Sequence, residues 1–247
     1  TALSAALFFG QTAVAEEKAA EEVKPSHVEM VLVLDESGSM SNLTNDTIGG
    51  FNSMIEKEKK LDVDAHVTTV LFNDQYKMLY NRRELKDVSK MTDKDYTPGG
   101  MTALLDAVGR TIHKMDMVAG IHRKDKGNKV LFVIITDGEE NDSKEYTYAD
   151  VKKLIKDRQE NAGWEFIFLG ANIDAAAAAE NLGIDRDRAV KYKNTGSGVR
   201  ANFKAVAELS DSLAKSGRVS DEWKETVEKD EDDAADKQSA AVTLHRR

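Results

Sequence analysis

Short, almost wholly apolar runs alternate along this chain with longer segments in which apolar residues recur every three or four positions. The apolar runs cover residues 28–34, 130–135 and 166–169, and each is followed by a polar residue or a glycine. Such runs are typical of parallel strands buried on both faces, and the segments between them have helical spacing. The pattern predicts an α/β fold: a doubly wound, mostly parallel, Rossmann-like sheet with helices on both faces.

The predicted helices each carry one apolar stripe. The stripes consist of Ile48, Phe51 and Ile55; Leu104 or Leu105, Val108, Ile112 and Met115; Val151, Leu154 and Ile155; and Val199, Phe203, Val206, Leu209 and Leu213. Residues 67–72 and 76–80 are separated by three polar residues, which predicts a hairpin. This hairpin adds one antiparallel edge strand to the sheet.

The two ends of the chain differ in composition from the segment between them. Residues 1–15 combine an apolar run with small residues before a potential signal-peptidase cleavage site, so we predict a truncated signal peptide. The alternative is a short apolar helix. Residues 16–26 are predicted to be a charged linker, and residues 27–217 the folded domain. Residues 218–247 are predicted to be a disordered acidic tail, because nine acids and three lysines lie within 221–237. Export to the periplasm or the exterior is the expected localisation, and the cytoplasm is the alternative.

Composition narrows the classes of ligand. The chain of 247 residues has a net charge of -9, which disfavours nucleic acid as a partner because phosphate binding needs a basic surface. No cysteine is present, so disulfides and thiolate metal sites are excluded. No run of 18 apolar residues occurs, which argues against a retained membrane span. A cation is the more natural ligand for this chain.

Three polar clusters follow predicted strands or begin a predicted helix. Asp35, Ser37 and Ser39 follow the first strand, Thr102 follows a Pro-Gly-Gly turn, and Asp137 follows the strand at 130–135. Ligands of open α/β sheets bind at the carboxyl ends of the strands, where we expect these five residues to converge. Their donors are all oxygen atoms, which suits Mg²⁺, with Mn²⁺ or Ca²⁺ as possible substitutes.

These five residues resemble the metal-ion-dependent adhesion site (MIDAS) of the von Willebrand factor A (vWA) domain family. In that family the site has the sequence pattern Asp-x-Ser-x-Ser, followed later by a Thr and by Asp-Gly. The resemblance covers about residues 27–215. The runs 47–52, 100–107 and 164–172 are similar to a bacterial and phage group of small single-domain members. The resemblance implies a vWA-like sheet with Mg²⁺ at its upper edge. In that arrangement Ser37 and Ser39 bind the metal directly, and the other three residues bind it directly or through water.

The function expected from this reading is metal-dependent protein binding, as an adhesion or scaffold module without catalytic activity. Three of the five donors are neutral hydroxyls, so a bound cation stays attractive to an acidic residue of a protein partner. One alternative is a regulatory subunit of a partner ATPase, as some family members are. Another is a Mg²⁺-dependent hydrolase or phosphatase, although position 37 is Ser where haloacid-dehalogenase-like phosphatases carry a second Asp.

Other polar residues receive simpler interpretations. For Glu139, Glu140, Asn141 and Asp142 the alternatives are a second ion site or the rim of the first site, and a solvated acidic loop is the favoured interpretation. Asn73 and Asn172 are rim candidates because each follows a predicted strand. The five histidines show no spacing typical of a metal site, so surface or packing roles are expected for them.

Overall fold

The computed structural model of the protein describes residues 27–61, 64–117 and 128–229. The predicted signal peptide and linker, at residues 1–26, lie outside this range, as do residues 230–247 of the predicted tail. None of the helices within the described ranges has the length and hydropathy that a membrane span needs.

The described residues form a six-stranded sheet with the order β3-β2-β1-β4-β5-β6. Its strands are β1 (His27–Asp35), β2 (Ala65–Phe72), β3 (Tyr76–Glu84), β4 (Asn128–Thr136), β5 (Glu165–Gly170) and β6 (Ala189–Lys191). All neighbouring strands are parallel except β2 and β3, which form the predicted hairpin. The predicted α/β fold class is therefore confirmed, including the antiparallel edge strand.

Helices cover both faces of this sheet. They are α1 (Thr44–Glu58), α2 (Leu104–Asp116), α3 (Tyr148–Asp157), α4 (Ala175–Leu182) and α5 (Gly196–Ser216). Helices α1 and α5 pack on one face, and α2, α3 and α4 pack on the other. Local sequence sets several helix ends: Thr147 and Asp150 form a capping box before α3, and Gly217 in the left-handed region ends α5.

The order of the strands places a crevice between β1 and β4. From β1 the chain continues to β2 on one side, whereas β4 lies on the other side and continues to β5. The helices that follow β1 and β4 therefore lie on opposite faces of the sheet. This is the topological switch point, where the carboxyl ends of two adjacent strands leave room for a ligand. Asp35 and Thr136 are the last residues of these two strands.

The prediction of a disordered tail from residue 218 is wrong for residues 218–229. Residues 223–229 form a helical segment, and the side chains of Trp223 and Val227 are each 1% exposed. Both belong to the hydrophobic core on the face covered by α1 and α5. The segment is rich in charged residues, so its composition did not reveal that Trp223 and Val227 form an apolar pair at i, i+4 spacing. Such a pair lies on one side of a short helix and can be buried there.

Candidate functional site

The loop after β1 holds the first predicted ligands in fixed positions. The carboxylate of Asp35 is 1% exposed and accepts two hydrogen bonds. The backbone N–H of Ser37 donates to Oδ1 at 2.7 Å, and the hydroxyl of Thr136 donates to Oδ2 at 2.6 Å. Thr136 is the last residue of β4 and precedes Asp137, so this contact ties the ends of β1 and β4 together.

A chain of hydrogen bonds links the predicted ligands of the two strands. The hydroxyls of Ser37 and Ser39 are 3.0 Å apart, and the hydroxyl of Ser39 donates to Oδ1 of Asp137 at 2.5 Å. Ser37 and Asp137 are buried, whereas Ser39 is exposed. Four of the five predicted ligands therefore form one connected group with a solvent-facing side.

The turn before α2 is held against the loop that follows β1. The N–H of Gly99 donates to the carbonyl of Glu36 at 2.9 Å, and the N–H of Gly38 donates to the carbonyl of Gly100 at 3.2 Å. Gly100 has φ +76°, and a Cβ there would lie 1.9 Å from Oδ1 of Asp74. Glycine is therefore required at position 100 for both backbone and steric reasons.

Thr102, the fifth predicted ligand, lies beside the loop that follows β4. Its backbone N–H donates to Oδ1 of Asn141 at 2.9 Å, and its carbonyl accepts from the N–H of Asn141 at 3.0 Å. Its hydroxyl lies 3.9 Å from the position that a Cβ on Gly138 would occupy. The structure thus brings Thr102 to the edge that carries Asp137.

The electrostatics of this group fit a divalent cation. Burial raises the pKa of Asp35, hydrogen bonds from Ser37 and Thr136 lower it, and the nearby charge of Asp137 raises it; the net direction is upward. Within the described residues, no cationic side chain forms an ion pair with Asp35 or Asp137. Two buried acids with neutral hydroxyls between them form an oxygen-only donor set suited to a hard ion.

Two buried tyrosines lie beneath the carboxylates. The hydroxyl of Tyr96 donates to the backbone carbonyl of Asp35 at 2.6 Å. Burial is the main cause that raises the pKa values of Tyr96 and Tyr192, and the charges of Asp35 and Asp137 raise them further. Both phenols therefore stay neutral.

Glu140 makes ordering contacts in the acidic loop after Asp137, whereas Glu139 and Asn141 are exposed as expected for a solvated loop. The carboxylate of Glu140 accepts from the backbone N–H of Leu105 at 3.0 Å, near the start of α2, and from the N–H and hydroxyl of Ser143, each at 2.7 Å. Glu140 therefore joins the start of α2 to the loop after β4. Glu139 is exposed and makes no such contacts within the described residues.

The structure also places asparagines around Asp137. Nδ2 of Asn194 lies 3.3 Å from Oδ2 of Asp137, and Nδ2 of Asn172 donates to the Asp137 carbonyl at 3.2 Å. Asn73, the other rim candidate, instead supports the turn before α2 by donating to the Gly99 carbonyl at 2.8 Å. Sequence reasoning missed Asn194 because no strand end or motif marks it.

A second polar cluster lies at the opposite, amino-terminal edge of the sheet. Nitrogen atoms of His27 and His66 and a carboxylate oxygen of Glu29 all lie within 4.8 Å of one another. The expectation of surface or packing roles for the histidines missed this cluster. The two histidines are 39 positions apart, and only the pairing of β1 with β2 makes them neighbours.

The family follows from a match that spans most of the fold. The profile of the vWA-TerF-like family, described as the vWA found in the TerF C terminus, matches residues 27–188. The chain belongs to this vWA family. The matched range contains all five predicted ligands. A search of curated protein sequences finds no significant match to the chain.

Solved structures with similar folds are distant in sequence. The PilB minor pilin from Streptococcus sanguinis has a TM-score of 0.56 at 11% identity, over 79% of this chain and 64% of that one. The vWF domain of the type V pili tip protein Mfa5 from Porphyromonas gingivalis has a TM-score of 0.53 at 13% identity, over 81% and 99%. The ArnB paralog VWA2 from Sulfolobus acidocaldarius has a TM-score of 0.50 at 18% identity, over 76% and 46%. This vWA chain thus spans less than two thirds of the pilin and about half of VWA2, and the likeness is one of fold.

Proposed function

We propose that this vWA domain is a metal-dependent protein-binding module. Asp35, Ser37, Ser39, Thr102 and Asp137 hold Mg²⁺, for which Mn²⁺ or Ca²⁺ can substitute. When bound, the cation supplies an electrophilic position that the carboxylate of a protein partner can occupy. The domain acts as an adhesion or scaffold module and carries out no catalysis of its own.

The observation that carries this proposal is the hydrogen-bonded chain from Ser37 through Ser39 to Asp137. Its contacts of 3.0 and 2.5 Å unite the loops that follow two strands, and Ser39 and Asp137 are 98 residues apart in sequence. The two acids are buried and the Ser39 end is exposed, so a partner can approach the site from one side only. A buried carboxylate pair without an ion-paired cationic side chain favours a divalent ion as its counter-charge.

The position of Asp35 supports a binding role over a hydrolytic one. Both of its carboxylate oxygens accept hydrogen bonds from the protein, and its side chain is 1% exposed. A carboxylate nucleophile must be reached by the reacting atom of the substrate, which the burial of Asp35 disfavours. We therefore propose that Asp35 binds the metal directly or through water, orients the loop and contributes charge, and we expect phosphatase turnover to stay at background in the presence of Mg²⁺.

The first test measures binding of the metal alone. Calorimetric titration of the full chain with MgCl₂ or MnCl₂ should give one site, and thermal melts should shift upward with metal by mass action. Asp35→Ala should abolish that site while the circular dichroism spectrum stays native. Glu139→Gln is the matched control, because it removes an exposed acid of the same edge and should leave metal affinity unchanged. Equal metal affinity in Asp35→Ala and the native chain would overturn the proposal.

The second test concerns the partner. Proteins captured on the immobilised chain in Mg²⁺ and eluted with EDTA are identified, and the affinity of each purified candidate is measured in both buffers. Ser39→Ala should weaken binding as chelation does, because it removes the exposed ligand, whereas Glu139→Gln should preserve it. A partner that binds equally well in Mg²⁺ and in EDTA would contradict the adhesion mechanism even if the metal were bound.

Export is a separate part of the proposal and is supported by the sequence of residues 1–15 alone. An apolar run followed by small residues is what signal peptidases recognise. Expression of the gene's full reading frame should yield a mature protein whose amino terminus lies close to residue 16. A mature amino terminus upstream of this segment would contradict the prediction.

A further inference from the structure

The cluster of His27, Glu29 and His66 lies at the edge of the sheet remote from the proposed Mg²⁺ site. His27 begins β1, and the register pairs Glu29 with His66 on β2. Because the two strands are parallel, residues paired in this way project to the same face of the sheet. The side chains are largely covered: 13% of His27, 3% of Glu29 and 25% of His66 is exposed.

The donor atoms of the cluster have the spacing of a metal site. Nε2 of His27 lies 2.9 Å from Oε1 of Glu29 and 2.8 Å from Nδ1 of His66, and that Nδ1 lies 3.5 Å from the same Oε1. An ion with bonds of about 2.0–2.1 Å, as Zn²⁺ forms with imidazole and carboxylate, can touch all three corners of a triangle of this size.

A further contact orients one of the histidines. Nδ1 of His27 lies 3.2 Å from Oδ2 of Asp64, the residue that precedes β2. When a carboxylate accepts the proton on one ring nitrogen, the lone pair of the other nitrogen is available to a metal. Asp64 thus directs Nε2 of His27 toward Glu29 and His66, which is the usual arrangement behind a metal-bound imidazole.

Arg82 forms an ion pair with Glu29 and so balances its charge. Its Nε donates to both carboxylate oxygens, at 3.0 and 3.1 Å, and its Nη2 contacts Oε1. Arg82 has φ 45°, in the left-handed region, and sits at an irregularity in the pairing of β2 with β3. Nη2 also lies 3.3 Å from Nδ1 of His66, so a cation bound to Oε1 and Nδ1 competes with Nη2 at both ligand atoms. The contact of Nε with Oε2 is compatible with the bound cation.

We propose that His27, Glu29 and His66 form a second metal site, specific for a borderline divalent ion such as Zn²⁺. Two imidazoles and one carboxylate suit Zn²⁺ better than Mg²⁺, which prefers oxygen donors throughout. The three protein ligands leave a fourth position for water. The site joins the amino-terminal ends of β1 and β2, and it is independent of the proposed Mg²⁺ site at the opposite edge.

The experiment is a calorimetric titration of the full, untagged chain with ZnCl₂ in a buffer that contains Mg²⁺. We expect one Zn²⁺ site whose affinity falls about 100-fold in His66→Ala and about 10- to 100-fold in Asp64→Asn, because Asp64 only positions His27. Arg82→Gln should bind Zn²⁺ more tightly, since the competing guanidinium is gone. His113→Ala is the control, because His113 is an exposed histidine outside the cluster.

Two results would overturn this proposal. Equal Zn²⁺ affinity in His66→Ala and His113→Ala would mean that the ion binds adventitiously elsewhere. Loss of the Zn²⁺ site in Asp35→Ala would mean that Zn²⁺ occupies the Mg²⁺ site instead. Visible absorption of bound Co²⁺ gives a second readout: a tetrahedral spectrum in the native chain should disappear in His66→Ala, whose native fold is checked by circular dichroism.

Discussion

Buried carboxylates at the two edges of this sheet have opposite electrostatic surroundings. At the carboxyl-terminal edge, Asp35 and Asp137 are surrounded by hydroxyls and amides, and no cationic side chain within the described ranges pairs with them. At the amino-terminal edge, Glu29 receives a guanidinium from Arg82. The carboxylates of the first edge therefore have no cationic partner among the described side chains, whereas the carboxylate of the second edge is balanced by an arginine.

The direction of the pKa changes follows this difference. The pKa of Asp35 is raised, mainly by burial, whereas the pKa of Glu29 is lowered, because hydrogen bonds from His27 and Arg82 outweigh its burial. Burial alone thus does not decide whether a carboxylate is stable as an anion. The charges supplied by the neighbouring strands decide it.

Trp223→Ala should have the largest effect on stability. It also serves as a reference for both proposed metal sites, because Trp223 belongs to neither. The side chain is 1% exposed within the core, so its removal should lower the free energy of unfolding by about 3–5 kcal/mol. Chemical denaturation measures this loss, and metal titrations of the folded variant should show both sites unchanged. A loss below about 1 kcal/mol would mean that the helical segment 223–229 contributes little to the fold in solution.

Glu29→Gln should destabilise the metal-free protein by about 2–3 kcal/mol, because it leaves the charge of Arg82 without a partner. Urea denaturation in EDTA measures the effect. The double variant with Arg82→Gln should recover part of the loss, since it removes the unpaired charge. A double variant less stable than Glu29→Gln would show that Arg82 contributes to stability by packing and not by neutralising Glu29.

Glu58 tests a third kind of environment, a buried carboxylate that forms no ion pair with a basic side chain within the described residues. Burial raises its pKa from 4.5 to about 7, although the hydroxyl of Ser210 donates to it at 2.6 Å. The folded state therefore holds this proton more tightly than the unfolded state. Its contribution to stability is full below about pH 4.5 and is lost as pH rises to about 7, so the native chain should lose stability across that interval.

Glu58→Gln should reduce this loss and raise the free energy of unfolding at pH 8 by about 2 kcal/mol, because the amide carries no charge to bury. Denaturation curves at pH 5 and pH 8 measure the difference for Glu58→Gln and for Glu139→Gln, whose exposed side chain serves as control. The same pH dependence in Glu58→Gln and in the native chain would contradict the assignment to Glu58.

Asp35→Asn should have the smallest effect on stability and the opposite sign from Glu29→Gln. It removes one of two neighbouring negative charges, so the metal-free protein should gain about 1 kcal/mol at neutral pH. Thermal melts in EDTA measure the gain, and the same melts in Mg²⁺ should show that the stabilisation by metal is lost. A loss of stability in EDTA would mean that the hydrogen bonds of the Asp35 carboxylate outweigh its repulsion from Asp137.

Much of the fold and of the first site was predictable because it depends on local pattern. Apolar runs identified the central strands, and residues at strand ends identified Asp35 and Asp137 as neighbours in an α/β sheet. The contribution of Thr136 could have been inferred, because it lies beside Asp137 at the end of β4. Asn194 could not, because its approach to Asp137 depends on how the loop between β6 and α5 packs.

The amino-terminal edge of the sheet and the segment 218–229 contain features that the hydrophobic pattern of the sequence does not predict. His27 and His66 become neighbours through the register of β1 against β2, which no spacing in the sequence reveals. The burial of Trp223 was not predicted, because composition is an average over a whole segment. Burial depends instead on which face of a helix packs against the core.

The sequence by itself determined the fold class, the positions of the central strands and the five candidate ligands, because hydrophobic periodicity and strand-end chemistry are local properties of the chain. Only the tertiary structure decided which charges are neutralised. The partners of a carboxylate come largely from other strands, so the contacts of Arg82 with Glu29 and of the Thr136 hydroxyl with Asp35 span long sequence separations. Long-range register and packing therefore distinguish the two edges of one sheet.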